Sequence, residues 1–280
     1  MDLKYTELHD DKFGITMKVK DVLYTGQSEF QKIDILDTEF FGRMLLLDDL
    51  VMTTEKDEFF YHEMIVHIPM LSHPCPKSVL VIGGGDGGTI REVLKHNTVE
   101  KAVLCEIDGE VIDVCKKYLP TLSCALDDER VDIQVRDGIE YIAQSKNQFD
   151  IILIDSTDPM GPGEGLFTEE FYKNVNEALK DGGIMVCQSE SPFADQKEIQ
   201  MMQPLLKKAF PIVKTYAGPM PTYPAGYWSW TFCSNTVAPC SYLDVERAEE
   251  IEKNAKLYNK DLHKAVFALP NFVKKLVGQC

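Results

Sequence analysis

Val79-Leu80-Val81-Ile82-Gly83-Gly84-Gly85-Asp86-Gly87-Gly88-Thr89-Ile90 runs from an apolar strand through a glycine loop into the start of a helix. Gly83, Gly85 and Gly88 match G-x-G-x-x-G, and the strand before and helix after give the match more weight than its spacing alone. The same rhythm repeats downstream. Apolar strands at 102–105, 131–135 and 149–154 precede helical patterns at 111–117, 139–144 and 168–179, with Gly182-Gly183 read as the stop of the last one. Strands at 184–187 and 227–232 and an amphipathic helix at 244–257 complete the series. Short, near-continuous apolar strands alternating with helices predict an α/β protein with a doubly wound, mostly parallel sheet covered on both faces. Upstream, the β-rich runs 15–19, 30–35 and 44–47, separated by Gly and Asp, predict a small antiparallel sheet. Thr54 is then expected to cap a helix over 55–67 that Pro69 disturbs. The expected division is an N-terminal β-domain over 1–54 and a catalytic domain over 55–280.

Composition narrows the partners. The 280 residues carry 29 Lys plus Arg against 45 Asp plus Glu, a net charge of −16 with six His neutral, which argues against nucleic acid. No apolar run approaches the ~18 residues of a membrane span, and Met1-Asp2-Leu3-Lys4-Tyr5 lacks a basic head and apolar stretch. A cytoplasmic protein with no membrane partner is expected. The eight Cys form no CxxC pair and several lie in apolar runs, so they read as buried or incidental thiols.

Acids mark the strand ends. Glu106 follows the second strand of the series, where such folds use a carboxylate to accept hydrogen bonds from a ribose diol. Asp137 follows the third strand, Asp155 the fourth, and Asp158 stands three residues on. Ligands of these sheets bind outside the carboxyl ends of the strands, so the four should converge on one crevice. Asp86 adds a negative charge among loop amides that would otherwise hold a pyrophosphate, which argues against NAD. A crevice for cations and polyols follows. His62 and His67 are five apart, one residue too many for the HExxH zinc motif, so no metal is expected.

These stretches resemble the spermidine synthases, the polyamine aminopropyltransferases. The likeness rests on residues 83–93, Glu106-Ile107-Asp108, Asp137-Gly138 and Asp155-Ser156-Thr157-Asp158-Pro159-Met160-Gly161-Pro162. It rests also on residues 54–64 and Pro221-Thr222-Tyr223-Pro224, and it covers nearly the whole chain. The resemblance implies a class I methyltransferase-like (Rossmann-like) domain behind the small β-domain, and a homodimer or homotetramer. It implies decarboxylated S-adenosylmethionine as aminopropyl donor, a co-substrate with no separate cofactor. By the same likeness Gln31 and Glu106 take the ribose hydroxyls, Asp137 and the Gly138 backbone take the adenine edge, and Pro162 helps close over the base. His62, Asp158, Gln188 and Tyr223 then line a diamine channel, and residues 161–165 form a lid.

The chemistry agrees with the residue types. A methyltransferase loop faces the carboxylate of the methionine moiety, which Asp86 would repel; without that carboxylate, Asp86 can pair with the remaining ammonium. The acceptor amine is protonated at neutral pH and must lose a proton before it attacks, and Asp155 is the expected base with Tyr61 orienting the nitrogen. Two alternatives stay open on sequence: a putrescine N-methyltransferase on the same scaffold, and a noncatalytic polyamine-binding subunit. Lys4, Asp49-Leu50 and Met52 depart from the family pattern and bear on the acceptor end and one turn.

Overall fold

The computed structural model describes residues 3–157 and 161–279, apart from the side chains of Pro162, Glu164 and Pro224. Five strands open the chain: β1 (Lys4–His9), β2 (Phe13–Gln27), β3 (Lys32–Thr38), β4 (Gly42–Leu47) and β5 (Leu50–Thr54). They pair in chain order as an antiparallel meander. The β4–β5 turn carries positive φ at Asp48 (48°) and Asp49 (63°), a conformation that suits the right-handed twist of a hairpin and that Asp tolerates. Lys32 holds that turn, its Nζ 2.7 Å from Asp49 Oδ1 and its backbone N–H donating to Asp48 Oδ1 at 2.9 Å.

The second sheet comprises β6 (Ser78–Gly83), β7 (Lys101–Glu106), β8 (Val131–Val135), β9 (Phe149–Asp155), β10 (Leu179–Gln188), β11 (Ile212–Pro219) and β12 (Tyr227–Ser234). Its order is β8-β7-β6-β9-β10-β12-β11, and β12 runs antiparallel to both neighbours while the rest share one direction. This is the class I methyltransferase-like arrangement expected from the sequence. Alternate residues of each strand enter different cores: Val79, Val81, Ile151 and Leu153 on one face, Leu80, Ile82, Ile152 and Ile154 on the other. Burial on both faces is why these strands read as unbroken apolar runs. The order reverses between β6 and β9, so a crevice opens at their carboxyl ends.

Helix α1 (Phe59–Ser72) lies against one face, and α2 (Gly88–Leu94) and α3 (Gly109–Tyr118) follow β6 and β7. The expected helix over 55–67 is shifted by a turn at each end. Thr54 Oγ1 donates to Asp57 Oδ1 at 2.6 Å, a turn that delays the helix, which then runs on through Pro69 and is buried from Tyr61 to Ser72. Gly182-Gly183 do not stop a helix: they lie in β10 at a register shift between Leu179 and Ile184, where Gly182 takes φ 78°. The expected 244–257 helix ends earlier, at Glu252. Gln196–Ala209 and β11 were not anticipated; Pro204 sits inside that helix and breaks up its pattern.

The two sheets are tied through α3. Ile33, Ile35, Leu45 and Leu47 pack on Val111, Val114, Cys115, Leu119 and Leu122. This contact brings β3 and β4 over the mouth of the crevice.

Candidate active site

The crevice has two chambers that share Met52, Tyr61, Ser156, Thr157 and Tyr223. The first lies on the glycine loop and is lined by Gln31, Leu45, Leu47, Gly83 to Asp86, Glu106, Asp137, Gly138 and Asp155. The second is acidic, with Glu7, Asp10, Glu190, Asp195 and Glu198 beside Gln188 and Trp228.

The strand-end acids converge as the topology requires. Glu106 is buried at the end of β7, where it accepts N–H bonds from Gly85 (3.2 Å) and Asp108 (2.9 Å). Burial pushes its carboxyl up to about 7, against the pull of those two donors. Gln31 reaches over from the first sheet and donates to Asp108 Oδ2 at 3.0 Å, so it meets the same rim. Asp137 caps the helix Gly138–Ala143, accepting the Ile139 N–H at 2.7 Å. A Cβ on Gly138 would stand 2.5 Å from Ile82, which keeps the backbone there bare.

Asp155 lines the first chamber, next in the chain to Ser156 and Thr157, which border both. Its Oδ2 accepts from Thr89 Oγ1 at 2.6 Å, and the Tyr61 hydroxyl donates to the same carboxylate. Burial raises its pKa and the charge of Asp86 adds to that; His62 and the two hydroxyl donors oppose them. Burial likewise holds the Tyr61 phenol well above its ordinary value, with the Asp155 charge contributing, so Tyr61 remains a donor. Tyr223 leans on Tyr61 and Trp228 and donates to the Met52 carbonyl at 2.7 Å. Asp57 anchors this segment from the other side by accepting the Thr222 N–H at 3.0 Å.

Asp86 Oδ1 accepts the Gly88 N–H at 2.6 Å and lies 3.6 Å from His62 Nε2. His62, expected along the diamine channel, borders the first chamber and not the second. Its other nitrogen is 2.7 Å from Glu58 Oε2, which turns the ring toward the glycine loop. His67 turns elsewhere, to His96 at 3.1 Å and Glu92 at 3.2 Å. Gln188 does line the second chamber, its amide engaged with Glu190 through Nε2–H donation at 2.8 Å and acceptance of the Glu190 N–H at 3.0 Å. Lys4 lines neither chamber, so its charge does not face an amine there; Met52 borders both. Asp158 and the Pro162 side chain lie outside the described residues. The expected lid folds as a 3-10 turn over Gly161–Phe167, with Gly163 and Leu166 on the first chamber.

Two buried acids escaped the sequence reading. Glu190 follows the end of β10, so the strand-end rule that found Glu106 and Asp155 would have found it too; its φ of 60° is a strained conformation at the chamber wall. Glu58 lies in the stretch 54–64 but has no role in that reading; His62 one turn on is one partner, and the packing of α2 on α1 supplies another, Arg91, at 2.6 Å.

A crevice at the strand ends with an acid in its glycine loop, joined at Tyr61 to an acidic second chamber, is the site of a methyltransferase-like fold suited to cationic ligands. The comparisons with known proteins narrow this class. The spermine/spermidine synthase domain matches residues 58–244 and the spermidine synthase tetramerisation domain residues 4–55. The chain belongs to the spermine/spermidine synthase family. It is 50% identical to the polyamine aminopropyltransferase of Shouchella clausii over 99% of this chain and 100% of that one. The Caldicellulosiruptor bescii enzyme of the same name is 52% identical, over 99% of each chain. A crystal structure of spermidine synthase in complex with the transition state analogue AdoDATO superposes with a TM-score of 0.97 at 50% identity, covering 99% of this chain and 96% of that one. Spermidine synthase from Thermotoga maritima gives a TM-score of 0.95 at 49% identity, over 99% and 95%.

Proposed function

We propose that this protein transfers the aminopropyl group of decarboxylated S-adenosylmethionine to putrescine, giving spermidine and 5'-methylthioadenosine. The observation that carries this reading is the Asp155 carboxylate of the first chamber, hydrogen-bonded to Tyr61 at the neck between that chamber and the acidic one. A reaction between a sulfonium nucleoside and an amine needs its proton acceptor at that neck.

In this reading the donor lies in the first chamber as a co-substrate. Gln31 and Glu106 receive its ribose, Asp137 and the Gly138 backbone its adenine, Pro162 covers the base, and Asp86 pairs with its ammonium. The diamine enters from the second chamber past Gln188 and Tyr223. Asp155 takes a proton from the near ammonium while Tyr61 orients the nitrogen. The freed lone pair forms a C–N bond at the carbon next to sulfur, the C–S bond breaks, and its electrons leave the sulfur as a neutral thioether. Asp158 is assigned the distal ammonium, and Glu7 and Gln188 line the chamber through which the diamine enters. The chain works as a cytoplasmic homo-oligomer, and the match of residues 4–55 to a tetramerisation domain favours a homotetramer over a homodimer.

Steady-state assays with the decarboxylated donor and putrescine, cadaverine, agmatine or spermidine test the acceptor. A channel ended by a fixed carboxylate measures length, so putrescine should have the highest kcat/KM. A higher value for agmatine or spermidine would overturn that assignment.

A further inference from the structure

His62 is held between two carboxylates. Glu58 lies one turn earlier on the same face and meets Nδ1 at 2.7 Å, while Asp86 of the glycine loop faces Nε2 at 3.6 Å. Nδ1 is within hydrogen-bond distance of Glu58 and Nε2 faces the charge of Asp86, so both carboxylates favour the doubly protonated, cationic ring. The ring cannot swing away, because the loop backbone lies over it: a Cβ on Gly88 would stand 2.2 Å from its Cε1. Glu58 is itself fixed. Its Oε2 also receives Arg91 Nη2 at 2.6 Å, and Arg91 is clamped by Glu92 at 2.9 Å and by the Thr121 carbonyl at 3.0 Å. Glu58 and Glu92 are only 3% and 1% exposed, where carboxylates stay ionised only when paired in this way.

We propose that Glu58, seated on Arg91, is a positioning residue that keeps His62 doubly protonated against Asp86 and thereby keeps Asp155 ionised as the base. The proposal rests on the proton transfer assigned to Asp155 above. Asp155 is faced by the charges of Asp86 and Glu106, by the hydroxyls of Thr89 and Tyr61, and by His62, which is the cation of that group. Without His62's charge, burial and the neighbouring charge of Asp86 would drive Asp155 toward its protonated, inactive form. The balance at His62 fits: burial opposes its charge, but Asp86 and Glu58 overcome it and raise the ring to about 10. Glu58 is held down to about 2 by His62 and Arg91 in spite of its burial.

The first test needs only the native enzyme. Imidazole ¹H–¹⁵N spectra, assigned by the signal missing from His62→Gln, should find both His62 nitrogens protonated from about pH 6 to about pH 9. In Glu58→Gln the ring should lose its second proton below that window, so that it is neutral where Asp155 titrates. The second test is the pH profile of kcat/KM for putrescine, whose acid limb in Glu58→Gln should move up by about one pH unit, a ~10-fold loss below the limb. In a His62→Gln background the same substitution should move it no further. A native His62 titrating near its ordinary ~6.5 would overturn the proposal. So would an acid limb unmoved in Glu58→Gln, or one moved equally in both backgrounds. A merely structural Glu58 would lower the rate by one factor at every pH. Native enzyme without aminopropyl transfer would strike down the role of Asp155, while the His62 spectra would still decide the pairing with Glu58.

Discussion

The Gly88 N–H, the first amide of α2, is taken by Asp86 Oδ1 at 2.6 Å, so the loop that in related folds receives an anion presents a carboxylate instead. Asp86→Asn removes one side of a charge-assisted pair and should weaken binding of the decarboxylated nucleoside about 100-fold by calorimetry. Intact S-adenosylmethionine should lose much less. Glu106 yields a pH dependence of definite sign. Its carboxyl is raised to about 7, and ribose hydroxyls donate best to the ionised form, so methylthioadenosine should bind about 10-fold more tightly near pH 8 than near pH 6. Glu106→Gln should flatten that slope. Among site residues, the strand-end acids were legible because sheet topology fixes where strand ends go. Glu58 was legible only in part: its i,i+4 spacing to His62 can be read along a helix, whereas Arg91 comes from another helix, a contact with no sequence spacing. His62 was legible as a site residue but not in its orientation, which its neighbours decide.

At the scale of elements, the glycine pattern identified the loop while assigning its strain to other positions. The positive φ values fall at Gly83, Gly84 and Gly87, two of them unspecified positions in G-x-G-x-x-G. Gly88 is required for another reason, the His62 ring beneath it. Gly88→Ala should force the ring or the loop aside, costing about 1–3 kcal/mol in denaturant unfolding and weakening donor binding. A variant of native stability and affinity would mean that the ring moves without consequence. The strands of the second sheet were readable because burial on both faces leaves an apolar signature. The register shift at Gly182 was not, since paired glycines after a helix also fit a helix stop, and pairing with β9 decides between the two.

Across the whole molecule, the first chamber is complete only when the first sheet is docked on α3, since Gln31, Leu45 and Leu47 supply part of its lining. Ile35, fully buried in that contact, and Gln31, bonded to Asp108 across it, belong to the same sheet. Ile35→Ala should cost about 2–5 kcal/mol of stability and should raise the donor Kd although residue 35 lines neither chamber. The two-part organisation could be read from the change in rhythm near Thr54. The docking could not, because the apolar faces of β3, β4 and α3 announce burial without naming their partners. The central claim is that a glycine-loop acid and the Asp155 carboxylate, bonded to Tyr61 at the neck of two chambers, direct aminopropyl transfer. Its most direct test supplies the native enzyme with putrescine and equal amounts of intact and decarboxylated S-adenosylmethionine, with products identified by mass spectrometry. The account predicts spermidine and methylthioadenosine in equal amounts and no methylated amine. N-methylputrescine with S-adenosylhomocysteine, or no amine product at all, would contradict it.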